Sequence, residues 1–379
     1  MWQLAVKSLL ADRTKLAASV LGVAFAVVLA NLQGGLLIGL LRKAAILVDY
    51  GGADVWIGHR HMKDAETSCI PIPERWLQRV RAVPGVKRAD PYVLANPRMT
   101  MPDGASEFVV VVGCDPTSLL GNPLARVTGG DPRIIQQPNG ILVDEEDLVK
   151  LGQCQIGDLR ELNGRRARVV GFTQGMVNFT TRPYVFTTLE RARRDYGGDL
   201  PPAYCSYILV RAEPGTDVPQ LVERLRARTN GYLDVYDRDT YSGMSMRHWL
   251  LRTGVGISFG LATTLGLLVG LGVVAQTLYT SVTERLKEFG TLKALGADEV
   301  RVGWFLLLQA LTSGVLGSVL GLVVARTTAA LASSSRAPIV PTFSVMAGSV
   351  VLVLTVCLLA AWLPYWRIRR IDPASVLRS

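Results

Sequence analysis

Four long runs of apolar residues dominate the pattern of hydrophobic and polar positions along the chain. They cover Leu16–Leu41, Gly254–Val282, Val302–Ala325 and Val345–Trp366. A helix needs roughly 20 apolar residues to cross the hydrocarbon core of a bilayer, and core helices of soluble proteins are seldom this long. The pattern therefore predicts four transmembrane helices. The first run is longer than the apolar part of a signal peptide and is predicted to be an uncleaved signal anchor.

Basic residues near the ends of these runs predict the orientation of the chain. The N-terminal segment, the 283–301 segment and the C-terminal tail are rich in Lys and Arg, whereas the 332–344 segment has only Arg336 as a clear loop charge. Because basic loops stay in the cytoplasm, both termini and the 283–301 segment are predicted to be cytoplasmic, and the 42–253 segment extracytoplasmic. The net charge of +10 then indicates contact with anionic membrane lipid rather than with nucleic acid.

Residues 42–253 show the alternating short strand and helix patterns of an α+β domain. Two small subdomains, one inserted in the other, are the expected arrangement. Lys43–Tyr50 and Tyr241–Arg252 are predicted to extend the first and second spans as a helical stalk, with ordinary linkers as the alternative. The predicted fold is an α-helical membrane protein with four transmembrane helices and an α+β extracytoplasmic domain inserted between the first two. Its parts are 1–41, 42–253 and 254–379.

Catalytic and nucleotide-binding motifs are missing from the sequence, including the GxxxxGK[ST] phosphate loop. His59 and His61, followed by acidic residues and Cys69, could approach a metal, but a solvated loop without metal is the expectation. No cofactor or catalytic group is therefore assigned to the chain.

Cysteine usage leaves the redox state open. One of the five cysteines, Cys357, lies in an apolar run. No pair has the CxxC spacing of a zinc site. The remaining four are compatible either with disulfides or with free buried thiols: Cys69, Cys114, Cys154 and Cys205.

The segment between the second and third spans, residues 284–297, reads ERLKEFGTLKALGA. Leu286, Phe289, Leu292 and Leu295 recur every third residue, which predicts the apolar side of a short helix, and Gly296 suits its end. Such a helix could insert apolar side chains into a groove of a partner protein. It could equally lie on the lipid surface, and the pattern alone does not separate the two.

This segment resembles the coupling segment of the MacB/FtsX-type ABC transporter permeases, also called type VII. The chain ending resembles the family's terminal DP-x-x-x-LR pattern through Asp372, Pro373, Leu377 and Arg378. The arrangement of one span, a large domain and three further spans is similar to the family layout. The GADVWI run at residues 52–57 resembles the DevC subgroup.

The resemblance implies that the 284–297 segment is a helix that couples the permease to an ATPase. Its task would be to receive movement from a partner that binds and hydrolyses ATP with Mg, and to transmit it to the extracytoplasmic domain (mechanotransmission) for export. The coupling residues implied are Glu284, Arg285, Leu286, Glu288, Phe289, Gly290, Leu292, Lys293, Ala294, Leu295 and Gly296.

The partners implied are a separate ATPase subunit, a second copy of the permease, a periplasmic adaptor and an outer-membrane channel, in the bacterial inner membrane. The ATPase is expected on another polypeptide because MacB carries its ATPase domain ahead of the first span, where this sequence begins. Two alternatives remain open. One is a signalling permease like FtsX, which activates a cell-wall hydrolase, and the other is lipoprotein extraction like that of LolC and LolE.

Overall fold

The computed structural model describes residues 13–67, 69–128, 131–196, 200–284, 299–334 and 337–362. The chain divides into two compact units. We call Leu40–Val255 the α+β domain, and Met1–Gly39 together with Gly256–Ser379 the membrane unit. Each unit is described below by itself.

The helices follow the apolar runs and the amphipathic segments of the sequence. Their bounds are α1 Arg13–Ala44, α2 Ile46–Tyr50, α3 Arg75–Arg81, α4 Leu189–Arg191, α5 Val218–Thr229, α6 Arg238–Arg252, α7 Val255–Glu284, α8 Glu299–Ala332 and α9 Phe343–Ala360. Short 3-10 turns occur at Leu124–Arg126, Pro132–Gln136 and Glu145–Asp147, and a π-helical turn follows α4 at Ala192–Tyr196.

Four of these helices contain apolar segments long enough to cross a membrane: Leu16–Ala44, Val255–Thr277, Leu307–Ala332 and Phe343–Ala360. They confirm the four predicted transmembrane helices. The third extends beyond the predicted end at Ala325. Arg326 interrupts the apolar run, but one charged side chain does not interrupt the backbone hydrogen bonds of a helix.

Glycines allow the helices of the membrane unit to approach closely. A Cβ atom added at Gly317 of α8 would lie 2.5 Å from Cβ of Val23 in α1, and one at Gly270 of α7 would lie 2.7 Å from Cβ of Ala26. Backbones can pack this closely only where side chains are this small. The pairs Gly266/Gly270 and Gly317/Gly321 are therefore used for packing within one chain.

The strands of the α+β domain form one mixed sheet and one small antiparallel pair. Their bounds are β1 Val55–His59, β2 Ile72–Pro73, β3 Val86–Ala95, β4 Arg98–Thr100, β5 Ser106–Phe108, β6 Val110–Cys114, β7 Val127–Thr128, β8 Gly140–Asp144, β9 Leu159–Leu162, β10 Arg165–Thr173, β11 Tyr184–Thr188, β12 Tyr204–Cys205, β13 Tyr207–Ala212 and β14 Leu233–Asp237. The 12-stranded sheet has the order β14-β1-β13-β3-β6-β11-β8-β10-β9-β4-β5, with β7 paired to β10, and β2 pairs with β12.

The chain order of the strands reveals an inserted segment. All strands between β4 and β11 lie on one side of β3 in the sheet, and β1, β13 and β14 lie on the other side. The two halves remain hydrogen-bonded through β3 and β6, where Leu94 is paired with Val112. The strand order thus agrees with the predicted insertion, and the inserted strands share one hydrogen-bonded sheet with the strands of the host.

Both faces of the sheet are covered by apolar residues. Val111 belongs to one buried cluster, whereas its neighbours Val110 and Val112 belong to another. Because successive side chains of a strand point to opposite faces, the two clusters are the two faces. The first cluster includes residues of α3 and α5, such as Trp76 and Leu225, and the second includes residues of α2 and α6.

The predicted stalk extensions are separate helices. A turn at Ala45 lies between α1 and α2, and Thr253 and Gly254 lie between α6 and α7. Gly254 has a φ of +76°, which a right-handed helix does not contain and which glycine adopts without strain. Tyr241–Arg252 is helical, as predicted, and the break at Thr253 and Gly254 separates this helix from the helix of the second span.

Candidate functional site

The residues predicted to couple the chain to an ATPase lie almost wholly outside the described residues. Glu284 is the last residue of α7, and α8 begins at Glu299. The other coupling residues, 285–296, and the C-terminal motif, 372–378, are outside. Among the described residues, the helices next to the first two spans, α2 and α6, pack on each other and on the sheet of the α+β domain.

A cluster of four aromatic side chains joins α6 to the sheet. Trp56 of β1 is fully buried, and its ring centroid lies 5.5 Å from those of Tyr92 and Tyr207 and 5.6 Å from that of Tyr241 in α6. Aromatic pairs at such distances stabilise beyond the area that they bury. Any displacement of the N-terminal half of α6 must therefore move the sheet or separate these rings.

Backbone and capping hydrogen bonds fix the same end of α6. The Arg238 N–H donates to the carbonyl oxygen of Asp54 (3.0 Å), and the Asp54 carboxylate accepts from the Ala212 N–H (2.9 Å). The side chain of Asp237 caps α6 by accepting from the Thr240 N–H (2.9 Å). Burial alone would raise the pKa of Asp237, but the hydrogen bonds from Thr240 outweigh it and lower that pKa.

Helix α2 is attached to α6 through a partly buried carboxylate. The Asp49 carboxylate of α2 lies near the Ser242 hydroxyl of α6. Burial raises the pKa of Asp49, although the nearby Ser242 hydroxyl and the positive charge of Arg238 both oppose the shift. The two helices that connect the domain to the first and second spans are thus held together inside the domain.

The other end of α6 is contacted by the loop that joins β10 to β11. The ring of Phe179 in this loop lies 4.2 Å from that of Trp249, three residues before the end of α6. We call residues 174–183 the β10–β11 loop. Since α6 meets the sheet at Tyr241 and the β10–β11 loop at Trp249, it contacts the domain at two separated points.

The half-buried side chain of Glu66 anchors the β10–β11 loop. Its carboxylate accepts hydrogen bonds from the Asn178 amide (2.8 Å) and from the hydroxyl of Tyr184, the first residue of β11. Burial raises the pKa of Glu66, and the two hydrogen bonds only partly oppose the shift. The loop position therefore depends on an ionisable group.

Residues of the segment considered for a metal site take part in other hydrogen bonds. The backbone N–H of His61 donates to Asp234 (2.7 Å), and Asp64 accepts hydrogen bonds from the N–H and hydroxyl of Thr67 (3.0 and 2.5 Å). Within the described ranges, no group of three or more His, Cys, Asp or Glu side chains could hold a metal ion. Residues 60–67 follow β1 and contact the aromatic cluster, where the Tyr207 hydroxyl donates to the carbonyl oxygen of Asp64 (3.2 Å).

The five cysteines are free thiols, and all except the half-buried Cys69 are buried. In the α+β domain, burial raises the pKa values of Cys114 and Cys205 to about 12. A thiol with so high a pKa is rarely ionised at neutral pH and is a poor nucleophile. Of the two states that the sequence left open, the structure contains free buried thiols.

Sequence reasoning missed the aromatic cluster and the anchor of the loop. Trp56 lies in the GADVWI run, which was noted only for its resemblance to a subgroup, and β1 was not predicted. The alternation of Val55 and Ile57 with Trp56 is a strand signal that could have found it. No local signal links Glu66 to Asn178, which is 112 residues distant.

Comparison with known protein families agrees with this architecture. The family model of the MacB-like periplasmic core domain matches residues 16–228, and that of the FtsX-like permease C-terminal region matches residues 260–373. An uncharacterised ABC transporter permease of Mycobacterium tuberculosis is 28% identical over 297 residues, which cover 78% of this chain and 77% of that protein.

Two further relatives match a smaller part. The macrolide export ATP-binding/permease protein MacB of Nitrosomonas europaea is 30% identical over 120 residues, 32% of this chain and 18% of that protein. The crystal structure of the periplasmic region of MacB from Actinobacillus actinomycetemcomitans is similar with a TM-score of 0.39 and 12% identity, covering 51% of this chain and 92% of that structure.

Relatives named as permeases are consistent with a non-catalytic membrane subunit. A permease of this kind implies an ATPase partner. Because the periplasmic-core model covers more than half of the chain and the relatives are ABC transporter permeases, this multi-pass membrane protein belongs to the MacB/FtsX-type family of ABC transporter permeases.

Proposed function

We propose that this chain is the permease subunit that transmits ATP-driven movement from a partner ATPase to the α+β domain, and that this movement drives export. The observation that carries the proposal is the attachment of α6, which follows directly before the second span and contacts its domain at Tyr241 and at Trp249. A helix that is attached to its domain at two separated points carries the domain with it when the helix is displaced. In this proposal Glu284 and residues 285–296 receive the movement of the ATPase. The C-terminal motif with Asp372 and Arg378 supports the chain on the same, cytoplasmic side of the membrane.

The proposed setting is the inner membrane of a bacterium, with both termini and the 284–297 segment in the cytoplasm and the α+β domain outside. A second copy of the chain, a periplasmic adaptor and an outer-membrane channel are the further partners. The resemblance to MacB, which is named for macrolide export, supports export over signalling.

The orientation can be tested with a membrane-impermeant thiol reagent. The native thiols give a low background because four are buried and Cys69 is half-buried. Asp103→Cys, in an exposed turn of the domain, should react in intact cells, whereas Lys293→Cys should react only after permeabilisation. Labelling of Lys293→Cys in intact cells would reverse the proposed orientation.

The transmission step can be tested in the complex purified with its ATPase and reconstituted into nanodiscs. Hydrogen exchange of the β10–β11 loop and of α6 is measured with and without ATP. ATP should change the exchange of both segments in the wild type. Leu292→Ala should abolish the change while ATP hydrolysis continues, because it removes an apolar contact of the coupling helix.

Lys287→Ala is the matched control, since it lies on the polar side of the same predicted helix. It should leave the ATP-dependent change in place. The proposal fails if ATP turnover leaves the exchange of the wild-type domain unaltered, or if Leu292→Ala behaves like Lys287→Ala.

A further inference from the structure

Two helices of the α+β domain carry an excess of positive charge. The domain as a whole is nearly balanced, with 28 basic and 25 acidic residues between positions 40 and 255. Residues 75–88, which contain α3, include five basic residues and no acidic residue, and α5 has three arginines and one glutamate. Surface charges of opposite sign are usually interspersed. We call the exposed arginines of these two helices the α3–α5 face: Arg75, Arg79, Arg81, Arg224, Arg226 and Arg228.

The two helices lie side by side and run in opposite directions. At one end, the guanidinium group of Arg224 in α5 donates to the carbonyl oxygen of Pro84 (2.8 Å), which follows α3. At the other end, the ring centroid of Tyr232, which follows α5, lies 6.0 Å from that of Trp76 in the first turn of α3. Arg228 lies one turn beyond Arg224 on the same side of α5, between these two contacts. The arginines of both helices therefore border one continuous strip of surface.

An exposed aromatic ring accompanies the arginines. Tyr232 is 70% exposed, and the guanidinium carbon of Arg79 lies 4.8 Å from the ring centroid of its neighbour Trp76. Arg79 and Arg228 have no ion-pair partner among the described residues. The contacts of Arg79 and Arg224 hold two guanidinium groups in place, which lowers the entropy lost on binding. Arginine, tyrosine and tryptophan contribute most of the binding energy at protein interfaces, where lysine is depleted. The α3–α5 face thus has the composition of such an interface.

We propose that the α3–α5 face binds an acidic segment of a partner protein. Carboxylates of the partner pair with Arg79 and Arg228, and an apolar side chain of the partner packs on the ring of Tyr232. An anionic lipid surface attracts lysine and arginine alike. Only Lys87 is a lysine among the eight basic residues of 75–88 and α5, and the exposed ring beside the arginines also favours a protein. This inference does not rest on the proposed function.

The test is peptide binding to the full chain in nanodiscs of zwitterionic phosphatidylcholine, measured by fluorescence anisotropy. The probes are two labelled helical peptides with the same leucine and tyrosine side chains on one side. They differ only in having glutamate or glutamine at the other positions. The wild type should bind the glutamate peptide at least about tenfold more tightly than the glutamine peptide, as two charge contacts allow. Added salt should weaken the binding of the glutamate peptide, because it screens exposed charges.

The variants separate a site from general attraction. Arg79→Gln and Arg228→Gln should each weaken binding of the glutamate peptide about tenfold, and Arg79→Lys less. Arg166→Gln is the matched control, because it removes an exposed arginine of β10 in the other half of the sheet, and it should change binding less than about twofold. Tyr232→Ala should weaken both peptides about fivefold. Hydrogen exchange of α3 and α5 shows whether each variant is folded.

Three outcomes would overturn the proposal. Equal losses in Arg79→Gln and Arg166→Gln would mean that the charge of the whole domain attracts the peptide without a site. Equal binding of the two peptides would exclude recognition of carboxylates. Phosphatidylglycerol vesicles and polyphosphate are added as competitors. If either displaces the labelled peptide at a lower concentration of charge than the unlabelled glutamate peptide does, the face binds lipid or a phosphate polymer and not a protein.

Discussion

The membrane unit and the α+β domain are packed by opposite kinds of residue. In the membrane unit, glycines such as Gly270 and Gly317 bring helix backbones together against Ala26 and Val23. In the α+β domain, large aromatic rings around Trp56 fill the space beside the sheet. The solvent explains the difference. Lipid is as apolar as the side chains and leaves close packing as the main stabilisation between helices, whereas water favours burial of large rings.

The two kinds of packing also predict different movements for the two units. Close backbone contact between helices tolerates little change in volume but allows sliding along the contact. The aromatic cluster and the hydrogen bonds of Asp54 and Asp237 attach α6 to the sheet through several elements at once. We therefore expect the domain to follow α6 as one body. The following predictions test this difference, from the largest effect to the smallest.

The largest effect is expected for Trp56→Ala in the α+β domain. Removal of a fully buried indole that contacts three tyrosines should lower the free energy of unfolding of the domain by about 3–5 kcal/mol. Hydrogen exchange of β1 and β13 in the full chain measures the loss. Tyr232→Ala, at a ring that is 70% exposed, is the control and should cost less than about 1 kcal/mol. Similar losses in the two variants would contradict the assigned role of the cluster.

In the membrane unit, Gly317→Leu should destabilise through excess volume. The added side chain would start 2.5 Å from Cβ of Val23, and such overpacking typically costs about 1–3 kcal/mol. Chemical unfolding of the full chain in detergent provides the measurement. Gly272→Leu is the matched control and should be tolerated, because a Cβ atom at Gly272 meets nothing within 4 Å. If both leucines are tolerated equally, the helices are not in close contact at Gly317.

Glu66→Ala should release the β10–β11 loop. Loss of the carboxylate leaves the Asn178 amide and the buried Tyr184 hydroxyl without their acceptor, at a cost of about 1–3 kcal/mol. Faster hydrogen exchange of residues 174–183 is the expected readout. Arg182→Ala, an exposed change in the same loop, should leave that exchange close to the wild-type rate.

The same carboxylate predicts a pH dependence. Because burial raises the pKa of Glu66 above its ordinary value of 4.5, the folded state holds this proton to higher pH than the unfolded state. Its contribution to stability is complete below the ordinary pKa and is lost as the pH rises through the raised one. Glu66→Gln should remove this loss. Identical pH profiles of unfolding for the wild type and Glu66→Gln would contradict the raised pKa.

The smallest effect is expected where α6 meets the β10–β11 loop. Single and double alanine variants of Phe179 and Trp249 should give a coupling energy of about 0.5–1.5 kcal/mol, as for other aromatic pairs. Unfolding of the full chain measures the cycle. A cycle of Phe179 with Trp76, which packs on Tyr232 instead, should give no coupling. If the effects of Phe179→Ala and Trp249→Ala on the free energy of unfolding are additive, the second attachment of α6 is contradicted.

The sequence by itself determined the features that depend on neighbouring residues. Apolar runs such as Val345–Trp366 contain enough local information to predict the four spans, because a helix satisfies its backbone within one segment. Its motifs also allowed the family to be recognised, which the family models confirm. The coupling helix over residues 285–296 stays a prediction.

Contacts between segments that are distant in the chain were decided only by the tertiary structure. The sheet pairs β1 with β14, so Trp56 meets Tyr241 across 185 positions of chain, and nothing local to either residue indicates this contact. The break at Gly254, the anchor of Glu66 on Asn178 and the contact of Tyr232 with Trp76 have the same origin. Strand register and helix contacts bring such residues together, and these depend on the whole chain rather than on a local pattern.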